Sequence, residues 1–201
     1  MFGAIVGGPA LAYGDGKLFL GWKDQYTNQI QVLVSSGDDF DLNRRTVVSE
    51  MSRFSPLGLF FDDHKLYLYF LANDTGRITI LQSTDYGATF GNRTDLGQVS
   101  LSLPALAALT ASGRSTADFY CFYADPITDV GPLKLLLSHD SNLSGFTRRF
   151  DLTPDQSPRA LSAATFRGQV YLAWTGSFPT NHANVARYAT GELLSYGLLP
   201  N

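Results

Sequence analysis

Apolar and polar residues alternate along this chain in short runs, with no stretch that keeps a helical period. A period of two is that of a strand with one face buried. The densest runs are aromatic: Lys17-Leu18-Phe19-Leu20-Gly21-Trp22, Lys65-Leu66-Tyr67-Leu68-Tyr69-Phe70, Asp118-Phe119-Tyr120-Cys121-Phe122-Tyr123 and Gln169-Val170-Tyr171-Leu172-Ala173-Trp174. They start 48, 53 and 51 residues apart. A proline-led strand precedes each, beginning at Pro9, Pro56, Pro104 and Pro158, and proline suits the first residue of a strand because it has no amide to donate. Tight-turn residues join the two: Gly14-Asp15-Gly16, Asp62-Asp63-His64, Ser112-Gly113-Arg114 and Arg167-Gly168.

Third strands follow at Ile30–Ser35, Ile78–Ser83, Leu133–Ser138 and Ala183–Tyr188, and fourth strands at Arg45–Val48, Thr94–Leu96, Phe150–Leu152 and Glu192–Ser195. Four copies of a unit of about fifty residues, all strand, predict an all-β fold: a β-propeller with four blades of about four antiparallel strands each. The blades span approximately 1–50, 51–98, 99–153 and 154–201, in a single domain. Leu101 to Ala111 has a helical composition but contains Pro104 and overlays a strand in every other copy, so a strand is predicted there. Four blades are either a closed ring or part of a larger propeller, and unpaired edges in an open array would favour a homo-oligomer.

Composition narrows the function. A net charge of −3 with a sequence pI near 5.5 offers no basic stripe for a polyanion, so nucleic acid is excluded as a partner. Sixteen Asp stand against only Glu50 and Glu192, and Asp serves turns by bonding nearby amides. The single cysteine, Cys121, lies in an apolar strand and reads as a buried, inert thiol. No apolar run reaches the ~20 residues of a membrane span. The start, Met1 to Pro9, lacks the basic region of a signal peptide, which leaves localisation open, with secretion by another route or as part of a larger secreted protein both compatible. Asn-x-Ser/Thr triplets occur at Asn73, Asn92 and Asn142.

The sharpest motif is Ser83-Thr84-Asp85-Tyr86-Gly87-Ala88-Thr89-Phe90. Ser83 and Asp85 can bond the backbone of a hairpin, Gly87 supplies a left-handed residue, and Phe90 staples the turn to the sheet, with Thr89 between them. This run resembles the Asp-box of sialidase-like propellers, and worn copies stand in register at Ser35 to Phe40 and Ser138 to Phe146. The whole repeat is similar to bacterial modules of the PALA, NG, LYLAW kind, with Pro158 to Trp174 the nearest match. The resemblance implies the propeller fold and a structural role for the motif. Sialidase chemistry itself needs three central arginines, a Tyr-Glu nucleophile pair and a Phe/Tyr-Arg-Ile-Pro signature. The signature is absent, and Arg44, Arg93 and Arg149 fall where outer fourth strands are expected.

Other chemistries find little support. A glycosidase needs two carboxylates about 5 to 9.5 Å apart, which sixteen aspartates make easy to supply and hard to single out. His64, His139 and His182 share no zinc-ligand spacing, and there is no phosphate loop or nucleophile elbow. No cofactor, metal or catalytic residue is assigned. Binding residues are sought instead where second strands end in an aromatic followed by a polar loop: Trp22 with Asp24, Asn73, Tyr123 with Asp125, and Trp174 with Asn184. A ring can cover the apolar face of a sugar while Asp or Asn takes its hydroxyls. The expectation is a non-catalytic, lectin-like or cell-surface recognition propeller with a glycan ligand. The alternatives are a glycoside hydrolase of sialidase-like fold and a protein-binding scaffold.

Overall fold

The structure is a computed structural model that describes residues 8–37, 39–52, 57–110, 117–127, 131–139, 143, 146, 148–157, 159, 161–176, 182–189 and 192–198. Pro56, Pro158 and the Ser112-Gly113-Arg114 turn lie outside them. The fold is the expected all-β propeller with four blades, each an antiparallel meander. By compactness the chain divides into two units, Met1–Gln98 and Val99–Asn201, of two blades each.

In the first unit, β1 (Ala10–Gly14), β2 (Lys17–Lys23), β3 (Gln29–Ser36), β4 (Asp39–Phe40) and β5 (Thr46–Met51) form the first blade. The second has β6 (Gly58–Asp62), β7 (Lys65–Leu71), β8 (Arg77–Ser83) and β9 (Gly91–Val99). In the second unit, β10 (Ala105–Leu109), β11 (Asp118–Ala124), β12 (Gly131–Ser138) and β13 (Arg148–Ser157) form the third blade. The fourth comprises β14 (Ser162–Phe166), β15 (Gln169–Thr175), β16 (Ala183–Ala189) and β17 (Glu192–Leu198).

The first blade departs from expectation because its outer edge is broken in two. Asp39–Phe40 pairs with Ser35–Ser36, and the chain then makes a single 3-10 turn at Leu42–Arg44 before β5 rejoins β3. The Asp41 carboxylate caps that turn by accepting from the Asn43 amide at 3.0 Å, a local bond that competes with strand pairing. Arg44 therefore sits in a turn and not on a fourth strand, whereas Arg93 and Arg149 lie on β9 and β13 as expected. The Leu101 to Ala111 segment contributes β10, a strand, in line with the repeat.

Within each unit the alternation along the second strands divides the core. In β7, Leu66, Leu68 and Phe70 point into a cluster shared with Phe19 and Val32 of the first blade. In β15, Val170, Leu172 and Trp174 likewise meet Phe122 and Leu135 of the third. One face of the second strand thus serves the blade before it, while in β2 and β11 the opposite face, carrying Phe19 and Phe122, serves the blade after. Full burial of each such side chain contributes about 1.5–3 kcal/mol. Cys121 is buried within β11, which pushes its thiol pKa up and keeps it an inert thiol.

The meander places first and third hairpins at one end of each blade and second hairpins with the blade-to-blade connectors at the other. The four second hairpins close alike: Asp24, Ala72, Asp125 and Gly176 donate their amides to Gln29, Arg77, Pro132 and His182 at 2.8–3.0 Å. Connectors are pinned beside them. Ser52 bridges Ala72, and Leu101 N and Ser100 Oγ both donate to the Ala124 carbonyl.

At the other end, the hairpin of Ser83 to Phe90 has the bonding its sequence implies. Ser83 Oγ donates to Asp85 Oδ1 at 2.7 Å and accepts from Gly87 N at 2.8 Å. Asp85 accepts from Thr89 N at 2.9 Å and Thr89 Oγ1 at 2.6 Å. Gly87 has φ +82°, and Phe90 packs on the core of the unit. The Thr89 hydroxyl and amide, with Ser83, hold the Asp85 carboxyl below its usual value. Because the folded value is depressed, this stabilisation is present above the unfolded value of about 3.9 and is lost as pH falls through the folded one. Asp85→Ala should cost about 1 kcal/mol, modest because the carboxylate is exposed. Chemical denaturation should show that difference at pH 7 and its disappearance in acid.

Candidate functional site

The rings expected to offer a sugar an exposed face are buried. Trp22 is 9% exposed, Tyr123 0% and Trp174 6%. The reason is positional: these residues share the face of the second strand that the core needs, as Trp174 shows by packing among Phe122, Leu135 and Leu172. Burial pushes the Tyr123 hydroxyl pKa up to about 12, against the opposing pull of Arg149.

The polar candidates diverge. Asp24 is a loop organiser: its Oδ1 accepts from Tyr26 N and Thr27 N at 2.9 Å and from Thr27 Oγ1 at 3.1 Å. The Thr27 amide chiefly holds its pKa below the usual carboxylate value, against the cost of burial. Asn28, in the left-handed region with φ +58°, closes the loop by donating to the Asp24 carbonyl. What that rigid loop presents is Tyr26, 75% exposed, a residue the sequence reading passed over. In the second blade Ala72 occupies the place of Asp24, and Asn73 is an exposed loop residue whose amide donates to Met51. Asn184, opposite Trp174 in the ladder, donates its Nδ2 to the His182 carbonyl at 3.1 Å.

Asp125 belongs to a different object. Its Oδ2 receives Lys134 Nζ at 2.7 Å and Arg149 at 3.0 Å, while the same Lys134 Nζ lies 3.4 Å from Asp151 Oδ1. The second hairpin of the third blade supplies Asp125, β12 supplies Lys134 and β13 supplies Arg149 and Asp151. The pairing of Lys134 with Asp151 follows from ladder register, in which they stand opposite each other. The Asp125 and Lys134 side chains are 12% and 10% exposed, while Asp151 is 64% exposed. The result is an inner ion pair with an outer carboxylate open to solvent. Since both oxygens contact one Nζ, they lie no more than about 6 Å apart, whereas glycosidase carboxylate pairs are held about 5 to 9.5 Å apart.

Lys134, Arg149 and Asp151 were not singled out as binding residues from sequence. A signal was present: Lys134 is the only charge in the apolar run Leu133 to Ser138. The other turn end gathers a second polar cluster around Asp15, His64 and Tyr86. Among the described residues no group of three or more His, Cys, Asp or Glu is gathered in a way that could hold a metal ion, and no helix is long and apolar enough to cross a membrane.

No protein-family model matches the sequence, and no curated protein matches it. Solved structures do share its fold. An α-L-arabinofuranosidase from Clostridium thermocellum superposes with a TM-score of 0.60 at 13% identity, covering 94% of this chain and 71% of that one. A family 117 glycoside hydrolase of the marine bacterium Zobellia galactanivorans gives 0.59 at 12% identity, covering 94% and 68%. The leech intramolecular trans-sialidase gives 0.59 at 14% identity, covering 88% of this chain but 30% of its own. These proteins are glycoside hydrolases or a trans-sialidase, and at such identities the likeness establishes a common propeller fold.

Breaking the inner pair tests the description of the cluster. Lys134→Met leaves Asp125 buried with Arg149 alone and should destabilise the protein by about 3 kcal/mol. Adding Asp125→Asn should recover part of that loss, which denaturant titration of the single and double variants will resolve.

Proposed function

We propose that this chain is an Asp-box, sialidase-like propeller that acts on glycans as a glycoside hydrolase, taking its sugar at the second-hairpin end of the third blade. The observation that carries the reading is the pair of carboxylates joined through Lys134. Asp125, paired with Lys134 and Arg149, is the member fitted to stabilise or attack an oxocarbenium-like centre. Asp151, open to solvent, is the member placed to meet the leaving-group oxygen. An oxygen-to-oxygen separation of about 6 Å at most falls short of the inverting range of about 6.5–9.5 Å and favours a retaining outcome. The fold shared with an arabinofuranosidase, a family 117 hydrolase and a trans-sialidase supports a glycan as the substrate.

A second reading, a non-catalytic carbohydrate-binding module, is favoured by Tyr26. An exposed ring on a loop already fixed by Asp24 loses little freedom on binding, and among the described contacts the Asp24 carboxylate is occupied by its own loop.

A panel of aryl glycosides, with product stereochemistry followed by NMR, tests the first reading. Asp151→Asn, an exposed and conservative change, should lower turnover by about 10²–10⁴-fold with the melting temperature unchanged. If no glycoside turns over but a glycan array binds and Tyr26→Ala abolishes that binding, the module reading replaces it. Neither turnover nor glycan binding would sink both.

A further inference from the structure

The turn end of the first unit holds an arrangement that the proposed glycan chemistry does not use. His64 Nδ1 lies 2.5 Å from Asp15 Oδ2, and the Tyr86 hydroxyl donates to that same oxygen at 3.2 Å. Asp15 is in the first hairpin of the first blade, His64 in the first hairpin of the second, and Tyr86 in the Asp-box hairpin. Three turns from two blades thus converge on one carboxylate oxygen.

The backbone at these positions makes the convergence more telling. Asp15, His64 and Tyr86 all have positive φ, at 50°, 58° and 57°. Gly16 and Gly168 occupy the position equivalent to His64 in the first and fourth blades, also with positive φ. Glycine takes that conformation freely and an imidazole does not. A bulky ring such as Tyr86 is a still rarer occupant of the left-handed region. Strained side chains of this kind persist where their contacts hold them, and here both strained rings bond one partner.

Apolar packing supports the polar trio from beneath. Phe61 stacks on Phe19 of the first blade at 5.3 Å and on Tyr86 at 6.4 Å. Its ring occupies the space a side chain at Gly14 would need, since a Cβ there would come within 1.9 Å of it. Lys17 Nζ lies 5.3 Å from the centre of the Tyr86 ring.

We propose that Asp15, His64 and Tyr86 form a proton-dependent latch that fastens the first two blades to each other at their Asp-box end. Protonated His64 is a charged donor to the Asp15 carboxylate, and such bonds are about twice as strong as neutral ones. The charged groups facing His64 are Asp15 from the first blade and Asp63 from its own turn, with Asp62 and Lys65 flanking that turn and Lys17 over the Tyr86 ring. The hydrogen bond and charge of Asp15, aided by Asp63, raise the His64 pKa above its usual value. A raised folded value means that the latch is fully engaged below about 6.5, the unfolded value, and lets go as pH rises through the folded one. Tyr86 keeps Asp15 in place in either state.

Two measurements on the full chain test this. The His64 ring resonance should titrate with a midpoint above that of an ordinary histidine and return to the ordinary value in Asp15→Asn. The gain in melting temperature of the wild type over His64→Asn, a residue that tolerates left-handed backbone but does not titrate, should be larger at pH 5 than at pH 8. His64→Gly, which suits the turn without strain, should show the same pH-dependent gap. An ordinary midpoint in the wild type, a midpoint unmoved by Asp15→Asn, or a gap equal at both pH values would overturn the latch.

Discussion

Every blade here is apolar on both faces of its second strand, and that constraint governs the rest of the molecule. In β11, Phe119 and Cys121 are as fully buried as Phe122. A sheet of that kind is stabilised where a neighbouring blade covers it, as within each unit here. Within each unit the alternation of the strand then becomes a sorting rule, in which the second strand of the earlier blade turns one face to the later blade and the later blade's second strand turns the opposite face back. Phe70 and Trp174 obey it identically in the two units.

Function is pushed to the ends of the blades by the same rule. With the second strands given over to packing, polar chemistry is carried by hairpins, connectors and the third and fourth strands, Lys134 of β12 among them. The two ends are used differently. The end of the first and third hairpins carries internal bonds, where Ser83, Asp85 and Thr89 satisfy one another and Asp15 gathers two rings. The second-hairpin end carries Tyr26 exposed on a fixed loop and Asp151 exposed beside a buried ion pair.

The repeat made much of the fold legible. Strand order, the β10 strand in place of a helix and the bonding of the Ser83 to Phe90 hairpin all follow from periodicity and turn chemistry that act locally. The split outer edge of the first blade was not legible, because the Asp41 cap decides it by one side-chain bond. The candidate site was half legible. Asp125 stands out in sequence as the acid after an aromatic strand, but its partners come from strands 9 and 24 residues further on, joined to it only by ladder register. The aromatic residues were misjudged for the converse reason: Trp22, Tyr123 and Trp174 look like loop-edge platforms in one dimension and are core in three.

By itself, the sequence determined the all-β repeat, the number of blades and the hairpins that punctuate them. These depend on alternation, proline, glycine and aspartate acting within a few residues of one another. Only the tertiary structure decided which rings are buried, which carboxylate is paired with two cations, and that Asp15, His64 and Tyr86 share one point. Such outcomes depend on which faces of different strands and blades meet, and side chains 49 and 71 residues apart are brought together by packing, not by any signal in the chain between them.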